Sequence, residues 1–505
     1  MSAESGNSAT PTPRPSAASS APAGRSDALA RELRLQALSE VDRDLIRLVN
    51  DPLFSRWKEQ IKAIGGCANP IYLSGSTITR DGLTGEVISS YSTDGEPGER
   101  LAVRCRNRRA SVCEPCSRLH AGDTFQLVRA GLSGGKGVPD AVRDRPRLFV
   151  TLTAPSFGPV HRVLDGERCR PRRDDPRCEH GRRLGCGLVH TEDDPLVGLP
   201  LCPDCYDYTG HVLWHAHAGR LWDRFTTAVR RYLASAGGIP RSKLGDHLVV
   251  SFAKVAEFQR RAAIHFHAVV RLDGPDGPAS SAPAWATEDV LLDAVEHAAA
   301  SSFVTVPDSD AYGTERVSWG GQFDAHPIRS FPAGDASSDM EGDTPSDSAV
   351  AGYVAKYVTK GAAETAAGLD YRVTSLEDIR AAVVNRHVRA LMGTCWRLGG
   401  LAELEHLRLR AWAHGLGYRG HILTKSRRYS TTYGALREER ADHRRGEPKP
   451  VDDPDTVTES AWRYAGSGYT PGAAEFAAGI AESHAQSLQL AKEDAEDRAQ
   501  WAYNA

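Results

Sequence analysis

No apolar run in this 505-residue chain approaches the ~20 residues that a membrane-crossing helix needs, so no membrane span is expected. The opening stretch "MSAESGNSATPTPRPSAASSAPAGRS" has no apolar centre of the kind a secretory signal carries, which points to a cytoplasmic protein. Charge of neither sign is in excess: 62 Lys and Arg face 65 Asp and Glu, for a net −3. That excludes a general polycation, and any surface for nucleic acid has to be local. The phosphate-cradling signature GxxxxGK followed by Ser or Thr is missing. "GLSGGKGV" has the wrong spacing and lacks the hydroxyl residue, so no ATPase of that class is expected. Ten cysteines are too few for a disulfide scaffold at this length. Without an export signal, their CxxC pairs point instead to metal in a reducing cytosol. No internal repeat is present.

What remains is ordinary for a soluble chain, with 25% charged and 40% hydrophobic residues. The length predicts two to four domains. Residues 1–26 are rich in Ser, Ala, Pro and Thr and read as a disordered tail. Residues 27–100 read as helices and hairpins. Ser26 is placed to cap a helix through Leu29, Leu33, Leu38, Leu45 and Leu48, and "PLFSRWKEQIKAI" stops at Gly65-Gly66. "RLFVTLTAP" (147–155) reads as a buried strand closed by proline. "HLVVSFAKVAEF" and "AIHFHAVVRL" read as two strands joined near Arg260-Arg261. Loops rich in Pro, Gly, Ser and Asp follow at roughly 273–287 and 332–348. Residues 370–445 are helical and then basic, and 446–505 form an acidic, partly helical, partly disordered tail.

The cysteines cluster. Cys113-Glu-Pro-Cys116 and Cys202-Pro-Asp-Cys205 are CxxC knuckles suited to tetrahedral structural zinc. Cys105 precedes the first, in a segment spanning 101–146. Cys169, Cys178, His180, Cys186 and His190 lie between the pairs, in an insertion of about 165–215. One or two zinc ions are expected. One partition groups Cys178, Cys186, Cys202 and Cys205, leaving Cys105, Cys113 and Cys116 to find a fourth ligand such as His120. Structural zinc folds a loop-rich segment that lacks its own core. Arg108 and Arg109 beside the first knuckle suit contact with a phosphate backbone.

His265-Phe266-His267 lies within a predicted strand, where residues i and i+2 face the same way. Two imidazoles then project together, and Glu257 shares their face across the turn. Two nitrogens and an oxygen suit Mg²⁺ or Mn²⁺. Chance is the competing account in a chain with 18 histidines. His215-Ala-His217 is the internal control. It lies in a predicted helix, where i and i+2 diverge by ~200° and cannot share an ion.

"YVAKYVTK" places Tyr353, Lys356, Tyr357 and Lys360 on one helical face roughly 100° wide. Ala351, Val354 and Val358 share another face, suited to packing. The plain alternative is an amphipathic helix whose tyrosines cap a core.

In order along the chain, "FVTLTAP", "IHFHAVV" and "YVAKYVTK" resemble the three motifs of rolling-circle replication initiators, in the two-tyrosine branch of the HUH endonuclease superfamily. The zinc knuckles and "CPDCYDYTGHVLW" look like RepSA-type initiators of actinobacterial plasmids and integrative elements, over roughly residues 60 to 440. The resemblance implies an α+β fold: a central antiparallel sheet carrying the HxH strand, with the tyrosine helix alongside, over 147–365, plus a zinc-binding Cys-rich lobe. It implies His265 and His267 as metal ligands and Tyr353 or Tyr357 as nucleophile. Glu257 is added by strand parity. It further implies nicking of single-stranded or hairpin origin DNA through a 5′-phosphotyrosine, a free 3′-OH primer, and a borrowed host helicase and polymerase. Origin contacts are expected from the arginine-bearing zinc lobe or from the segment with Arg419, Lys425, Arg427, Arg428, Tyr429 and Tyr433, whose alternative is a solvated basic edge strand. A transposase or relaxase of the same chemistry, and a non-catalytic zinc DNA-binding regulator, are the competing functions.

Overall fold

The computed structural model describes residues 37–329, 345–359, 369, 371–445 and 456–504. The chain divides into two compact units. One combines 1–78, 89–103 and 459–505, and the other 79–88 and 104–458.

In the first unit, Ser39 caps helix Glu40–Val49 by accepting from the Asp42 amide. The expected start at Ser26 lies outside the described residues, and Leu38 precedes the helix instead of belonging to it. A second helix, Phe54–Ala63, ends where Gly65 and Gly66 take φ of 60° and 65°, a region that glycine enters without steric penalty. The acidic end of the chain supplies more than a tail: strand Thr456–Ser467 and helix Pro471–Asn504. Phe476 on that helix meets Phe54 and Trp57 edge-on, with ring centroids 5.3 and 5.7 Å away. Aromatic contacts of this kind hold a sequence-distant helix against an otherwise small core.

The second unit is three-layered. Among the described residues its longer helices are α1 (Glu114–Ser133), α2 (Tyr208–Ala236), α3 (Glu288–Ser301), α4 (Asp347–Thr359), α5 (Arg386–Leu398) and α6 (Tyr433–Arg445). Its main strands are β1 (Arg147–Thr153), β2 (Val249–Phe258), β3 (Ile264–Asp273), β4 (Phe323–Pro327) and β5 (Leu423–Lys425). They form one antiparallel sheet in the order β5-β2-β3-β1-β4. The fold is thus mixed helix and antiparallel sheet, with the "FVTLT" and "IHFHAVV" stretches on adjacent central strands.

Alternation decides the layers. Phe266, Ala268, Val270 and Leu272 of β3 join Leu148, Val150 and Leu152 of β1 in a core beneath α2, α3 and α5. Residues of the other parity, Val269, Phe149, Ala253 and Val255, meet α1 and α4 on the opposite face. Successive strand residues point to opposite sides, so two different helical layers are specified by one strand sequence. On α4, Val350, Ala351, Val354 and Val358 are buried in that second core. Each buried valine contributes about 1.5–3 kcal/mol relative to exposure.

Charges are buried beside this second core. Arg271 and Asp273 form a bidentate pair with both contacts at 2.9 Å and no solvent exposure of either side chain. Ser251 donates to the same carboxylate at 2.6 Å and Arg145 lies 3.0 Å from it. Arg271 also donates to the carbonyls of Gly131 on α1 and Tyr429. Arg147 pairs with Asp347, the first residue of α4, at 3.1 Å. Removing one member of a buried pair leaves an uncompensated charge. Asp273→Asn is therefore expected to lower the stability of this unit by about 3–5 kcal/mol, read as a lower urea midpoint at unchanged slope. A loss within about 0.5 kcal/mol, the scale of a surface substitution, would show that the pair is dispensable.

Candidate active site and metal clusters

The tyrosine helix crosses the sheet face that presents the two histidines. β2 and β3 pair so that Glu257 lies opposite His265, and β1 pairs with β3 so that Thr151 lies opposite His267. His267 is the hub. Its Nε2 is 3.0 Å from Glu257 Oε2 and its Nδ1 is 3.1 Å from Thr151 Oγ1. Tyr353 OH lies 3.1 Å from both Glu257 Oε2 and His267 Nε2. The Phe149 ring stacks on His267 and meets Tyr353 edge-on, each at 5.8 Å. The Tyr357 ring is 4.5 Å from that of Tyr353 and 6.4 Å from His267. Both tyrosines are half-buried, at the edge of the α4 core.

One proton arrangement satisfies all of these contacts. Tyr353 O–H donates to the Glu257 carboxylate, His267 Nε2–H is shared between that carboxylate and the Tyr353 oxygen, and the Thr151 hydroxyl donates to His267 Nδ1. A cation on Nε2 needs the other tautomer, with Nδ1–H donating to Thr151. A hydroxyl serves either, so Thr151 fits the outer-shell role that orients a ligating imidazole. The sequence marks Thr151 only as a polar residue in an apolar strand, and its pairing with His267 appears only with the register.

His265 behaves differently. Its ring lies 5.9 Å from that of His267, and its buried Nε2 has no hydrogen-bond partner among the described residues. Burial, reinforced by His267 and Arg261, depresses its pKa to about 3, so it is neutral and offers a lone pair at physiological pH. An unsatisfied buried nitrogen calls for an explanation, and a cation held with His267 and Glu257 supplies one. The three do not converge as tightly as the cysteine groups below, whose ligand atoms all lie within 4.8 Å of one another.

The charges around Tyr353 oppose ionisation of its phenol. Burial first, and then the Glu257 carboxylate, push its pKa well above the ordinary value of ~10. Burial and Glu257 also raise Tyr357. Lys356 is exposed, with Nζ 5.7 Å from the centre of the Tyr357 ring. The Tyr353 oxygen therefore faces a carboxylate, not the Lys356 ammonium. Lys360 lies outside the described residues.

The cysteines gather in groups that could hold a metal such as zinc. Cys105, Cys113 and Cys116 converge, with Cys113 capping α1 and Cys116 in its first turn, where the helix dipole favours thiolate. His120 is not in that group. It hydrogen-bonds Thr124 and packs on Tyr433 at 4.8 Å. Cys178, Cys202 and Cys205 gather with His180, whereas Cys186 joins His161, Cys169 and His190. The partition read from spacing thus fails at Cys186, because chain reversals, not sequence proximity, bring ligands together.

The expected DNA-contact residues divide too. Arg108 is half-buried and donates to the Val358 carbonyl at 2.9 Å. It satisfies a carbonyl left open in the last turn of α4 and complements the negative end of the helix dipole. Arg109 is half-buried, while Arg427 and Arg428 are exposed, and Arg428 donates to Pro275 O at 2.6 Å. Tyr429 is no stacking platform. It is fully buried, donates to Val128 O at 3.1 Å, and lies where a Cβ on Gly131 would come within 2.3 Å of its ring. Tyr433 is half-buried and bonded to Thr124 at 2.8 Å.

A raised folded-state pKa means that the protonated Tyr353 phenol contributes stability up to pH ~10 and loses that contribution above it. The phenolate absorbance of wild type minus Tyr353→Phe, without divalent cations, is accordingly expected to be nil through pH ~10. Half-ionisation at or below that pH would show that Lys356 outweighs burial and Glu257.

A family model described as "Replication initiator protein, pSAM2" matches residues 53–482. A replication initiator protein of Streptomyces ambofaciens is 47% identical over 464 residues, covering 90% of this chain and 95% of that protein. No solved structure matches. Among the described residues no helix is long and apolar enough to cross a membrane. With most of its length matched by the family model and by this relative, the chain belongs to the RepSA family of replication initiator proteins.

Proposed function

We propose that this initiator nicks and rejoins one DNA strand at its replication origin, using Tyr353 or Tyr357 as a covalent nucleophile in an HUH-type site. The observation that carries this reading is the Tyr353 hydroxyl within 3.1 Å of both Glu257 and His267. A phenol, an acceptor for its proton and an imidazole meet there at one point on the sheet. The phenol oxygen bonds to phosphorus, and its proton passes to the Glu257 carboxylate that already accepts it. The bond from phosphorus to the 3′-oxygen of the preceding nucleotide breaks, and that oxygen is protonated from solvent. The products are a 5′-phosphotyrosine and a 3′-OH able to prime a polymerase. The ester keeps the phosphate activated, so rejoining needs no nucleotide triphosphate.

His265, His267 and Glu257 are the residues that would hold Mg²⁺ or Mn²⁺. Bound there, the cation supplies Lewis-acid polarisation of the phosphodiester and offsets the carboxylate that disfavours phenolate. Tyr357, one helical turn from Tyr353, is placed for a second transfer when replication returns to the origin. Lys356, exposed on the same helix, offsets phosphate charge, and Lys360 follows by the same spacing. Chemistry on a strand at a half-buried tyrosine needs unpaired DNA, so a single-stranded or hairpin origin is the substrate. Arg109, Arg427 and Arg428 are the candidate phosphate contacts. Unwinding and synthesis fall to a host helicase and polymerase.

Covalent capture tests the proposal. Labelled single-stranded origin DNA with Mn²⁺ should give a denaturation-resistant adduct with wild type. The adduct should be absent from the Tyr353→Phe/Tyr357→Phe double variant and from His265→Ala/His267→Ala. Tight origin binding without any adduct would favour the non-catalytic regulator.

A further inference from the structure

The Cys-rich insertion holds two separate groups of four ligands, and one of them differs in chemistry from every pairing that the CxxC spacing suggests. We propose that His161, Cys169, Cys186 and His190 form a structural zinc site of their own, which braces the β2–β3 turn between Glu257 and His265.

Five observations define the site. The ligand atoms all lie within 4.8 Å of one another. His161 Nδ1 is 3.2 Å from His190 Nε2, and Cys186 Sγ is 3.4 Å from that same nitrogen. His190 Nδ1 is 2.6 Å from Asp194 Oδ2. A neutral imidazole that donates Nδ1–H to a carboxylate has its lone pair on Nε2, so His190 aims an acceptor at the Nδ1 of His161 and at a thiol. This is the outer-shell arrangement that fixes a ligating histidine. The Arg162 amide donates to Cys169 Sγ at 3.2 Å, as backbone amides do toward a thiolate. Cys169, Cys186 and His190 are buried. Two thiolates and two imidazoles in a closed group suit tetrahedral Zn²⁺ with no open position. The neighbouring Cys178, His180, Cys202 and Cys205 differ from them, with three thiolates and one imidazole.

The site lies at the base of a short two-stranded ladder. His161 donates its amide to Leu199 O at 2.9 Å, Gly198 donates to His161 O at 2.9 Å, and Leu201 donates to Pro159 O at 3.0 Å. Arg170 Nε bonds Val160 O at 2.8 Å and Arg162 Nε bonds Cys169 O at 3.1 Å, tying the ligand loop to that ladder. Gly198, at φ +87°, then presses on the turn: a Cβ there would stand 2.3 Å from the Arg260 carbonyl. Arg260 belongs to the tight turn closed by Gln259 N to Ala263 O at 2.8 Å. The next residue, Arg261, bonds the carbonyls of Ala154 and Pro155 just past β1, each at 3.1 Å. A ligand on the ladder is thus linked by backbone contacts to the turn between the strands that carry Glu257 and His265. The insertion has little apolar core of its own, so the ion is what closes this path.

The test counts zinc and follows the turn, and neither readout depends on nicking. Full-length wild type is expected to hold one zinc equivalent more than Cys169→Ser/Cys186→Ser. Cys202→Ser/Cys205→Ser should lose a different equivalent, and the combined variant should lose both. Cobalt-substituted Cys202→Ser/Cys205→Ser should show a tetrahedral spectrum with weaker thiolate charge transfer at the remaining insertion site than Cys169→Ser/Cys186→Ser shows. Asp194→Asn keeps all ligands, which guards against misfolding, and should weaken chelator-competed zinc affinity at this site about 10–100-fold. Gly198→Ala should leave the zinc count unchanged yet speed amide hydrogen exchange at 259–263. An unchanged zinc count after loss of Cys169 and Cys186, or unchanged affinity in Asp194→Asn, would overturn the metal site. Unchanged exchange in Gly198→Ala would overturn the brace.

Discussion

The bidentate pair between Arg271 and Asp273 is the interaction on which the arrangement of the second unit rests. Both residues lie on the β3 face that also carries His265 and His267, two and three pleats further along. Their charges are removed from water, so every remaining donor and acceptor has to find a partner inside. Arg145 and Ser251 complete the carboxylate, while the carbonyls of Gly131 and Tyr429 complete the guanidinium. α1, the tyrosine turn after β5, and β2 are thereby fixed relative to β3. The Arg147–Asp347 pair extends the same logic to the first residue of α4. Hydrophobic packing alone tolerates sliding of a helix along a sheet. A buried ion pair at one end of α4 and the Arg108–Val358 contact at the other oppose it.

The surroundings of Tyr353 oppose loss of its proton. A half-buried phenol next to a carboxylate holds its proton tightly, and the buried His265 Nε2 has no hydrogen-bond partner among the described residues. Both features suit the cation proposed for this site. The same carboxylate that suppresses ionisation of Tyr353 would be neutralised by the ion that the two histidines complete. In that reading, the sheet face couples nucleophile activation to cation binding instead of to the lysines of the helix.

The cysteine groups meet a different need. Between β1 and α2 the chain runs for more than fifty residues with few apolar positions, and such a segment cannot order itself by burial. Cys/His groups that could hold a metal would substitute for a core at points where the loop must hold shape against the sheet.

Some of this was legible in the residues alone. Strand periodicity placed His265, His267 and Glu257 on one face, since an alternating backbone leaves no other choice. Helical periodicity separated the valines of α4 from its tyrosines for the same reason, and the ordered motifs carried the family. Local rules of this kind act over a few residues and survive without knowledge of the rest. The grouping of Cys186 with His161, the loss of His120 as a ligand, the burial of Tyr429, and the turn of Arg108 toward Val358 were decided by contacts between segments far apart in the chain. So were the lack of a partner for His265 Nε2 among the described residues and the contact of Thr151 with His267. Sequence spacing fixes which residues share a face. Only tertiary packing decides what faces them, and it is the facing charge or ring that sets whether a tyrosine, a cysteine or an arginine serves chemistry or structure.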